Sequence, residues 1–187
     1  ASEIPTLLPQ LRKISDTWLA FKNTREKKFS LGFYRDDYLK RSPIGVVKLE
    51  NEIVGFANIL ATDNKEELSI DLMRYLPVAP SGVMDFLFIE LMLWGRKEGY
   101  KWFNLGMAPL SGLESRTAAP FWNQLASFLF RHGEHFYNFQ GLRSYKEKYR
   151  PIWEPRYLAS PGGVAVFRIL TGIAAMISGG FTGVVKK

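Results

Sequence analysis

The sequence predicts an α+β fold in which a mixed, mostly antiparallel sheet is flanked by helices. Three apolar segments with strand character, 44–49, 52–61 and 68–73, follow one another with short connections, which is typical of antiparallel neighbours. A longer apolar segment, 83–98, has the length of a buried helix and precedes a further strand over 101–107. Because one strand, a long helix and another strand follow in order, the sheet is expected to be mixed.

The N-terminal half contains the helix and the hairpin that begin this fold. Residues 6–22 form an amphipathic helix in this prediction, because large apolar residues recur there at mostly three- and four-residue spacings. A polar, basic connection over 22–28 follows. Glu50-Asn51 supplies a tight connection between the first two strands, and Asp63-Asn64 marks the turn before the third.

The C-terminal half is predicted to contain more helices than strands. In the helix over 83–98, Ser81 and Asp85 lie at the start, and Gly99 lies at the end, where positive φ is often needed. Further predicted elements are a helix over 119–130, a strand over 135–139, a helix over 140–150 that ends before Pro151, and a strand over 156–159.

The tail, 164–185, is apolar apart from Arg168, and its 17 uncharged residues 169–185 are marginal for a membrane span. It is either a helix packed on the domain or a segment at a membrane interface.

Composition limits the chemistry that this chain can perform. Its 187 residues are 47% hydrophobic and 14% aromatic, which is enough for one sizeable core and excludes disorder as the dominant state. The absence of cysteine excludes disulfides, thiolate nucleophiles and iron–sulfur clusters, and two histidines leave little for a metal site. We therefore expect no metal and no cofactor. The chain begins without methionine or a signal peptide, so we expect a fragment of a longer protein.

The formal net charge of +7 is unevenly distributed along the chain. Residues 12–48 and 131–187 each carry a net charge of +6, whereas residues 49–90 carry −6. This pattern favours an anionic partner, either nucleic acid or an anionic membrane surface. The alternative is an ordinary solvated basic surface.

An acid and a base at the exit of the third strand are candidates for chemistry. Asp71 could bind an ammonium group or accept a proton, and Arg74 could clamp a phosphate. The alternative is a structural ion pair at the end of the strand. Residues 132–135 contain His132, Glu134 and His135, and a neutral imidazole there could act as a base, although a structural role is the more common one. Ser111 and Asp85 are interpreted as helix-capping residues.

Basic and aromatic residues alternate between 141 and 156, where five basic residues accompany two acidic ones. Arg143, Lys146 and Arg150 share one face of the predicted helix, which suits contact with phosphates. The alternative is a surface helix with aromatic packing beneath it, and this alternative explains the tyrosines better than base stacking does.

The order of the elements resembles the acyltransferase fold of the N-acetyltransferase superfamily, also called the acyl-CoA N-acyltransferase fold. Acetyl-CoA enzymes of that superfamily hold pyrophosphate with an R/Q-x-x-G-x-G/A motif at a strand-to-helix turn. The nearest match, 96–101, ends in lysine and lies at the end of a helix. We therefore interpret Gly99 as a helix stop and do not expect coenzyme A as the donor.

Six strings together resemble one family, the C-terminal catalytic domain of bacterial aminoacyl-phosphatidylglycerol synthases. The strings are FSLG at 29–32, VGFAN at 54–58, SIDLMR at 69–74, VMDFLF at 83–88, FNLGMAPLSG at 103–112 and YNFQGLRSYKEKY at 137–149. Members of this family are lysyl- or alanyl-phosphatidylglycerol synthases that also act as lipid flippases. The resemblance implies three segments, namely an N-terminal helix and basic connection (1–28), the second of two acyltransferase-like lobes (29–160), and an apolar C-terminal segment (161–187).

The resemblance also implies a reaction, partners and a location. The reaction is transfer of a lysyl or alanyl group from aminoacyl-tRNA to a glycerol hydroxyl of phosphatidylglycerol, which lowers negative membrane surface charge and gives resistance to cationic antimicrobial peptides. The partners are aminoacyl-tRNA, phosphatidylglycerol at an anionic membrane surface, and the N-terminal lobe and flippase domain of the parent chain. The location is the cytoplasmic side of the bacterial inner membrane.

The resemblance implies roles for seven residues. Asp71, Arg74 and Lys146 are the catalytic candidates, and the substrate-binding candidates are Glu134, Arg143, Lys148 and Arg150. Asp71 would hold the ammonium of the amino acid or serve as the base. Glu134 is a further candidate for the ammonium, and the basic residues would bind lipid phosphate or the tRNA acceptor end. Two alternatives are a tRNA-dependent acyltransferase acting on a peptidoglycan precursor or a small amine, and a non-catalytic module that binds tRNA or anionic lipid.

Overall fold

The computed structural model describes residues 3–26, 32–109, 111, 139–157, 159–162 and 165–178. The described elements are, in chain order, α1 (Ile4–Phe21), α2 (Asp36–Leu39), β1 (Ile44–Leu49), β2 (Glu52–Ala61), β3 (Glu67–Tyr75), α3 (Val83–Lys97), β4 (Trp102–Asn104), α4 (Phe139–Glu147) and α5 (Ala165–Ser178). The chain divides into two compact units. Unit 1 comprises Ala1–Asn104 and Leu158–Lys187, and unit 2 comprises Leu105–Tyr157.

The sheet of unit 1 has the strand order β1-β2-β3-β4. The β1–β2 and β2–β3 pairs are antiparallel, and the β3–β4 pair is parallel. The predicted α+β class with a mixed, mostly antiparallel sheet is therefore confirmed. Glu50 and Asn51 connect β1 to β2 with φ values of 48° and 77°. Positive φ at both central residues is typical of a tight hairpin turn whose twist matches that of the strands.

Two hydrophobic clusters cover the sheet on its opposite faces. Ile53 and Phe56 of β2 pack in one cluster with residues of α1, including Leu8 and Leu11. Their neighbours Val54 and Ala57 belong to the other cluster, which includes Leu87 and Leu91 of α3. Successive side chains of a strand point to opposite faces, and a register shift between Ile53 and Gly55 moves this alternation by one residue, so α1 and α3 lie on different sides of the sheet. This arrangement buries both faces of β2.

A β-bulge interrupts the pairing of β2 with β3. Ala57 pairs with Met73 and Ile59 pairs with Ile70, so Asn58 alone lies opposite the two residues Asp71 and Leu72. A bulge of this kind shifts the alternation of side chains by one residue. Leu68 and Ile70 accordingly pack on the α3 side of the sheet, whereas Leu72 packs on the α1 side. The bulge therefore determines on which side of the sheet the end of β3 presents its side chains.

Helix α3 begins and ends at glycines with left-handed backbone conformations. The helix begins at Val83, as predicted; its N-cap is Gly82, with φ of 85°, Ser81 lies one residue before that cap, and Asp85 lies in the first turn. Gly99, with φ of 87°, follows the C-cap. Its N–H donates to the Arg96 carbonyl oxygen at 3.1 Å, and the Tyr100 N–H donates to the Gly95 carbonyl oxygen at 2.9 Å. These two bonds form a Schellman motif, so the prediction that Gly99 ends a helix is confirmed.

Several predicted boundaries toward the C-terminus are wrong. Strand β4 covers only 102–104 of the predicted 101–107, and α4 ends at Glu147 instead of continuing to 150. Phe139 is the first residue of α4, although the prediction placed it in a strand, and residues 156, 157 and 159 belong to no strand. The predicted helix over 119–130 and the strand residues 135–138 lie outside the described residues. Helix α5 covers part of the apolar tail, and no helix in the described part of the chain is long and apolar enough to cross a membrane.

Candidate active site

Asp71 lies in the β3 bulge, and two neutral donors hold its carboxylate. Oδ1 accepts a hydrogen bond from the Gly32 N–H at 3.0 Å, and Oδ2 accepts a hydrogen bond from the Tyr38 hydroxyl. Within the described residues, no lysine or arginine forms an ion pair with this carboxylate. Neutral donors orient a carboxylate without cancelling its charge, so Asp71 can still attract a cation.

Tyr38 is itself held by a fully buried amide. The Asn58 Nδ2 donates to the Tyr38 hydroxyl oxygen at 3.2 Å, and the Asn58 Oδ1 accepts the Leu72 N–H at 2.7 Å. Asn58 has no exposed surface. Burial, and next the hydrogen bond to Asp71, raise the pKa of Tyr38 above its ordinary value. The Tyr38 hydroxyl therefore stays protonated near neutral pH and acts as a donor to Asp71.

Gly32 approaches Asp71 more closely than any other residue type could. A Cβ atom at position 32 would lie 2.0 Å from the Asp71 Oδ2 and 3.0 Å from the Tyr38 Cε1. The first distance is too short for a methyl group beside an oxygen, and the second is a tight contact with a ring carbon. The absence of a side chain at position 32 thus allows the backbone N–H to reach the carboxylate.

Arg74, three residues after Asp71 on β3, is engaged in other contacts. Its Nη2 forms an ion pair with the Glu26 Oε2 at 3.0 Å, its Nη1 donates to the Met73 carbonyl oxygen at 2.8 Å, and its guanidinium lies 4.3 Å from the centre of the Trp18 ring. Burial lowers the pKa of Arg74, and the Glu26 charge opposes that effect. A structural ion pair at the end of the strand was the alternative interpretation of this residue. Such a pair exists, and its acid is Glu26.

Lys146 is a buried amine in unit 2. The residue is 6% exposed, and its Nζ donates to the Met107 carbonyl oxygen at 2.8 Å. A Cβ atom at Gly106 would lie 3.6 Å from this Nζ, so the backbone of 106–107 covers the amine closely. Burial lowers the pKa of Lys146 from its ordinary value to about 8. Such an amine exchanges its proton near neutral pH, as a general acid or base must.

The other basic residues of unit 2 are placed differently from the shared helical face that the sequence predicts. Helix α4 ends at Glu147, so Arg150 lies beyond it, exposed and with φ of 49°. The Arg143 guanidinium lies 4.9 Å from the centre of the Trp153 ring. The Lys148 Nζ lies 4.8 Å from the Tyr145 ring. The predicted common face of residues 143, 146 and 150 is therefore wrong, because the helix is too short and Lys146 is buried.

The remaining candidates of the sequence analysis are either peripheral or not described. The Ser111 hydroxyl donates to the Ala108 carbonyl oxygen at 2.9 Å. Glu134, His132 and His135 lie outside the described residues. Among the residues that the structure describes, no group of three or more His, Asp or Glu side chains could hold a metal ion.

Four residues at this site are absent from the sequence-based candidates: Glu26, Gly32, Tyr38 and Asn58. Glu26 is the only acid in the basic connection 22–28, and this pattern could have identified it as a candidate ion-pair partner. Gly32 and Tyr38 are 39 and 33 residues from Asp71 in the chain, and no local pattern links them to it. Asn58 is a polar residue within an apolar strand, which indicated a buried polar role but not its partner.

Comparisons of this chain with protein families and with known proteins point to the same family. Residues 1–160 match the family described as "Phosphatidylglycerol lysyltransferase, C-terminal". The chain is 46% identical over 154 residues to phosphatidylglycerol lysyltransferase of Bacillus subtilis, which covers 81% of this chain and 18% of that protein. It is 41% identical over 153 residues to the protein of the same name from Staphylococcus haemolyticus, with the same coverage. The chain thus spans about a fifth of the length of these relatives.

Two solved structures are also similar to this chain. One is the C-terminal domain of a candidate lysylphosphatidylglycerol synthetase from Agrobacterium fabrum, with a TM-score of 0.81 and 46% identity over 96% of this chain and 53% of that one. The other is L-PGS from Bacillus licheniformis, with a TM-score of 0.69 and 44% identity over 92% of this chain and 51% of that one. The chain therefore corresponds to about half of each solved chain.

Proposed function

The chain belongs to the family of phosphatidylglycerol lysyltransferase C-terminal domains, and from this premise we propose that it is one lobe of an enzyme that transfers an aminoacyl group to phosphatidylglycerol. The observation that carries the proposal is the match at 46% identity over 81% of the chain. We further propose that aminoacyl-tRNA is the donor and that the transferred group is lysyl or alanyl. The donor is then an activated ester, so the reaction needs no covalent intermediate on the enzyme.

In this proposal Asp71 binds the ammonium group of the amino acid. Its carboxylate is oriented by the Gly32 N–H and the Tyr38 hydroxyl, and it has no ion-pair partner in the described part of the chain. An ammonium bound there would form a charge-assisted hydrogen bond and place the ester at a defined distance from the carboxylate. Asp71 is the better candidate for binding than for proton transfer, because Lys146 has the pKa that suits a base.

Lys146 is proposed as the group that moves the proton. As the neutral amine, it takes the proton of a glycerol hydroxyl while the hydroxyl oxygen attacks the ester carbonyl carbon. The tetrahedral intermediate then collapses, the bond to the tRNA ribose oxygen breaks, and the Lys146 ammonium returns the proton to that oxygen. A pKa of about 8 allows both forms of the amine to be present near neutral pH.

The other basic residues are proposed to bind phosphate. Arg143, Lys148 and Arg150 are the basic residues of 139–150 other than Lys146, and we assign them to the lipid phosphate or the tRNA acceptor end. Glu134 remains a proposed second acid for the ammonium. Arg74 is mostly buried and contacts Glu26, the Met73 carbonyl oxygen and the Trp18 ring, so we propose that it supports β3 and α1 instead of touching the substrate.

The partners of this lobe follow from the proposed reaction. They are aminoacyl-tRNA, phosphatidylglycerol in an anionic membrane, and the remainder of the parent chain, including an N-terminal lobe and a flippase domain. Because aminoacyl-tRNA is a cytoplasmic substrate, we place the reaction on the cytoplasmic side of the membrane. Adding an ammonium-bearing group to an anionic lipid makes the surface less negative, which would reduce the binding of cationic antimicrobial peptides.

The proposal can be tested with the full-length parent protein expressed in cells that lack aminoacylated lipids. Lipids are extracted after growth with labelled lysine or alanine and separated by thin-layer chromatography. We expect a labelled derivative of phosphatidylglycerol with the wild-type protein and at least tenfold less with Asp71→Asn or Lys146→Arg. Equal labelling by all three proteins would contradict the assigned residues, and label in peptidoglycan precursors instead of lipid would contradict the assigned acceptor.

A further inference from the structure

We propose that Tyr38 is a positioning residue whose hydroxyl, held by the buried Asn58 amide, fixes the Asp71 carboxylate in the orientation that receives the substrate ammonium. This inference rests on the proposed function, because it assumes that Asp71 binds an ammonium. It concerns three residues of unit 1 that lie on α2, β2 and β3. It assigns a role to Tyr38 and Asn58, neither of which was a candidate from the sequence.

The β-bulge determines the direction of the whole hydrogen-bond chain. Because Asn58 lies opposite both Asp71 and Leu72, the regular backbone pairing is interrupted there. The Leu72 N–H donates instead to the Asn58 Oδ1 at 2.7 Å. This bond fixes which side of the amide carries the oxygen, so the Nδ2 group must point the other way, toward Tyr38.

The Asn58 amide in turn determines what the Tyr38 hydroxyl can do. The Nδ2 group can only donate hydrogen bonds, so the Tyr38 hydroxyl oxygen must be the acceptor. The distance between these two atoms is 3.2 Å. The single hydroxyl hydrogen is then available to the Asp71 Oδ2, to which it donates. A hydroxyl next to a carboxylate could otherwise rotate, and here its donor direction is set by a residue without solvent exposure.

Two donors on different oxygens define the plane of the Asp71 carboxylate. The Gly32 N–H contacts Oδ1 at 3.0 Å, and the Tyr38 hydroxyl contacts Oδ2. If the Tyr38 donor is removed, Oδ2 loses its only hydrogen-bond partner among the described residues, and the carboxylate can rotate about the bond to its Cβ. The charge remains, but its position relative to a bound ammonium becomes less defined.

Tyr34 offers a matched control for a Tyr38→Phe variant. It is also a tyrosine of unit 1, its hydroxyl donates to the Leu8 carbonyl oxygen at 2.7 Å, and it is 8% exposed. Tyr34→Phe therefore removes one structural hydrogen bond in the same unit without removing a donor to Asp71. A role that is only structural would make the two variants alike.

The activity test measures how strongly the full-length parent protein prefers a donor with free amines over a donor with one acetylated amine. Lysyl-tRNA is acetylated at one of its two amines or at the other, and kcat and KM for each donor are measured with phosphatidylglycerol vesicles. We expect the wild-type protein and Tyr34→Phe to prefer the unmodified donor to the same degree, and we expect this preference to be about tenfold smaller in Tyr38→Phe, mainly through KM. An unchanged preference in Tyr38→Phe overturns the inference. A wild-type protein without any preference contradicts the proposed role of Asp71 instead.

A second measurement tests the contact without any activity. The pKa of Tyr38 is followed by NMR of a ¹³Cζ-tyrosine introduced at position 38 of the parent protein, in the wild type and in Asp71→Asn. Because the hydrogen bond and the charge of Asp71 both raise this pKa, we expect it to fall in Asp71→Asn. An unchanged pKa would overturn the inference whatever the enzyme assays show.

Discussion

The Arg74 guanidinium forms its ion pair with Glu26, at 3.0 Å between Nη2 and Oε2, and not with Asp71, which precedes it by three residues on β3. Glu26 also accepts the Tyr34 N–H at 3.3 Å through its other oxygen. The pair therefore links the segment after α1 to the end of β3. Asp71 keeps a negative charge that no ion pair in the described residues compensates, and this charge is the basis of the proposed ammonium site.

The Arg74–Glu26 pair is expected to stabilise the fold. Its side chains are 11% and 21% exposed, so Glu26→Gln leaves a mostly buried guanidinium without its hydrogen-bonded counter-charge, and only the weaker electrostatic effect of Asp71 remains. We expect the free energy of unfolding to fall by about 1–3 kcal/mol, measured by urea denaturation. The control is Glu154→Gln, which breaks the exposed Arg156–Glu154 pair and should change much less. Equal changes in the two variants would show that the Arg74–Glu26 pair has no special structural role.

Asp71→Asn is expected to remove activity while preserving the fold. Asparagine has the shape of aspartate and can still accept one hydrogen bond, from Tyr38 or from Gly32, but it cannot attract a cation. We expect kcat/KM for lipid aminoacylation by the parent protein to fall about 10²-fold, which corresponds to about 3 kcal/mol of lost interaction. Circular dichroism checks that the fold is kept. Wild-type kcat/KM in a folded Asp71→Asn protein would exclude Asp71 from substrate binding.

The buried amine of Lys146 predicts a specific dependence of stability on pH. Its pKa is about 8 in the folded chain and near the ordinary 10.5 in the unfolded chain. Below pH 8 both states are protonated and burial of the charge costs the fold up to about 3 kcal/mol. Between pH 8 and 10.5 the unfolded chain binds more protons, so this cost disappears as pH rises.

The effect of the Lys146 charge on stability is measured as the difference in unfolding free energy between the wild type and Lys146→Met at several pH values. Methionine has a side chain of similar shape and no charge. We expect Lys146→Met to be the more stable protein at pH 7 and the difference to shrink as the pH approaches 10. A difference that is the same at every pH would mean that the charged amine is as well accommodated in the folded state as in water.

Gly32→Ala is expected to displace the Asp71 carboxylate. The added Cβ would lie 2.0 Å from Oδ2, so either the carboxylate or the 32–35 segment must move. We expect activity of the parent protein to fall at least tenfold. Gly172→Ala on α5 is the control, because no atom of the described residues lies within 4 Å of a Cβ at that position, and it should retain full activity. Equal activity of both variants would show that the position of the carboxylate does not matter.

The sequence predicts the framework of unit 1 well because the framework depends on local patterns. The strands 44–49 and 52–61 have the predicted bounds, and the Glu50-Asn51 turn and the Gly99 helix end depend on a few adjacent residues. The surroundings of Asp71 depend instead on contacts 33 and 39 residues away and on a bulge that the alternation of β3 does not reveal. Those contacts could not be predicted from one sequence.

In unit 2, the burial of Lys146 is likewise a contact between distant residues that one sequence does not predict. Its spacing from Arg143 and Arg150 predicted an exposed basic face, whereas the backbone near Met107, 39 residues earlier, covers the amine. A pattern of charges indicates which residues could share a helical face, but it does not indicate which segment packs over that face. The residue was identified as a candidate, and its distinguishing property, burial, came only from the fold.

The most direct test of the central claim is lipid aminoacylation by the purified full-length parent protein. The protein is mixed with vesicles that contain phosphatidylglycerol and with tRNA charged with labelled lysine or, separately, alanine. We predict that label from at least one donor appears in a phosphatidylglycerol derivative, and that Lys146→Arg, whose side chain stays charged, lowers the rate by about 10²-fold or more. Label that never enters lipid with either donor, but does enter an added peptidoglycan precursor or small amine, would contradict the account.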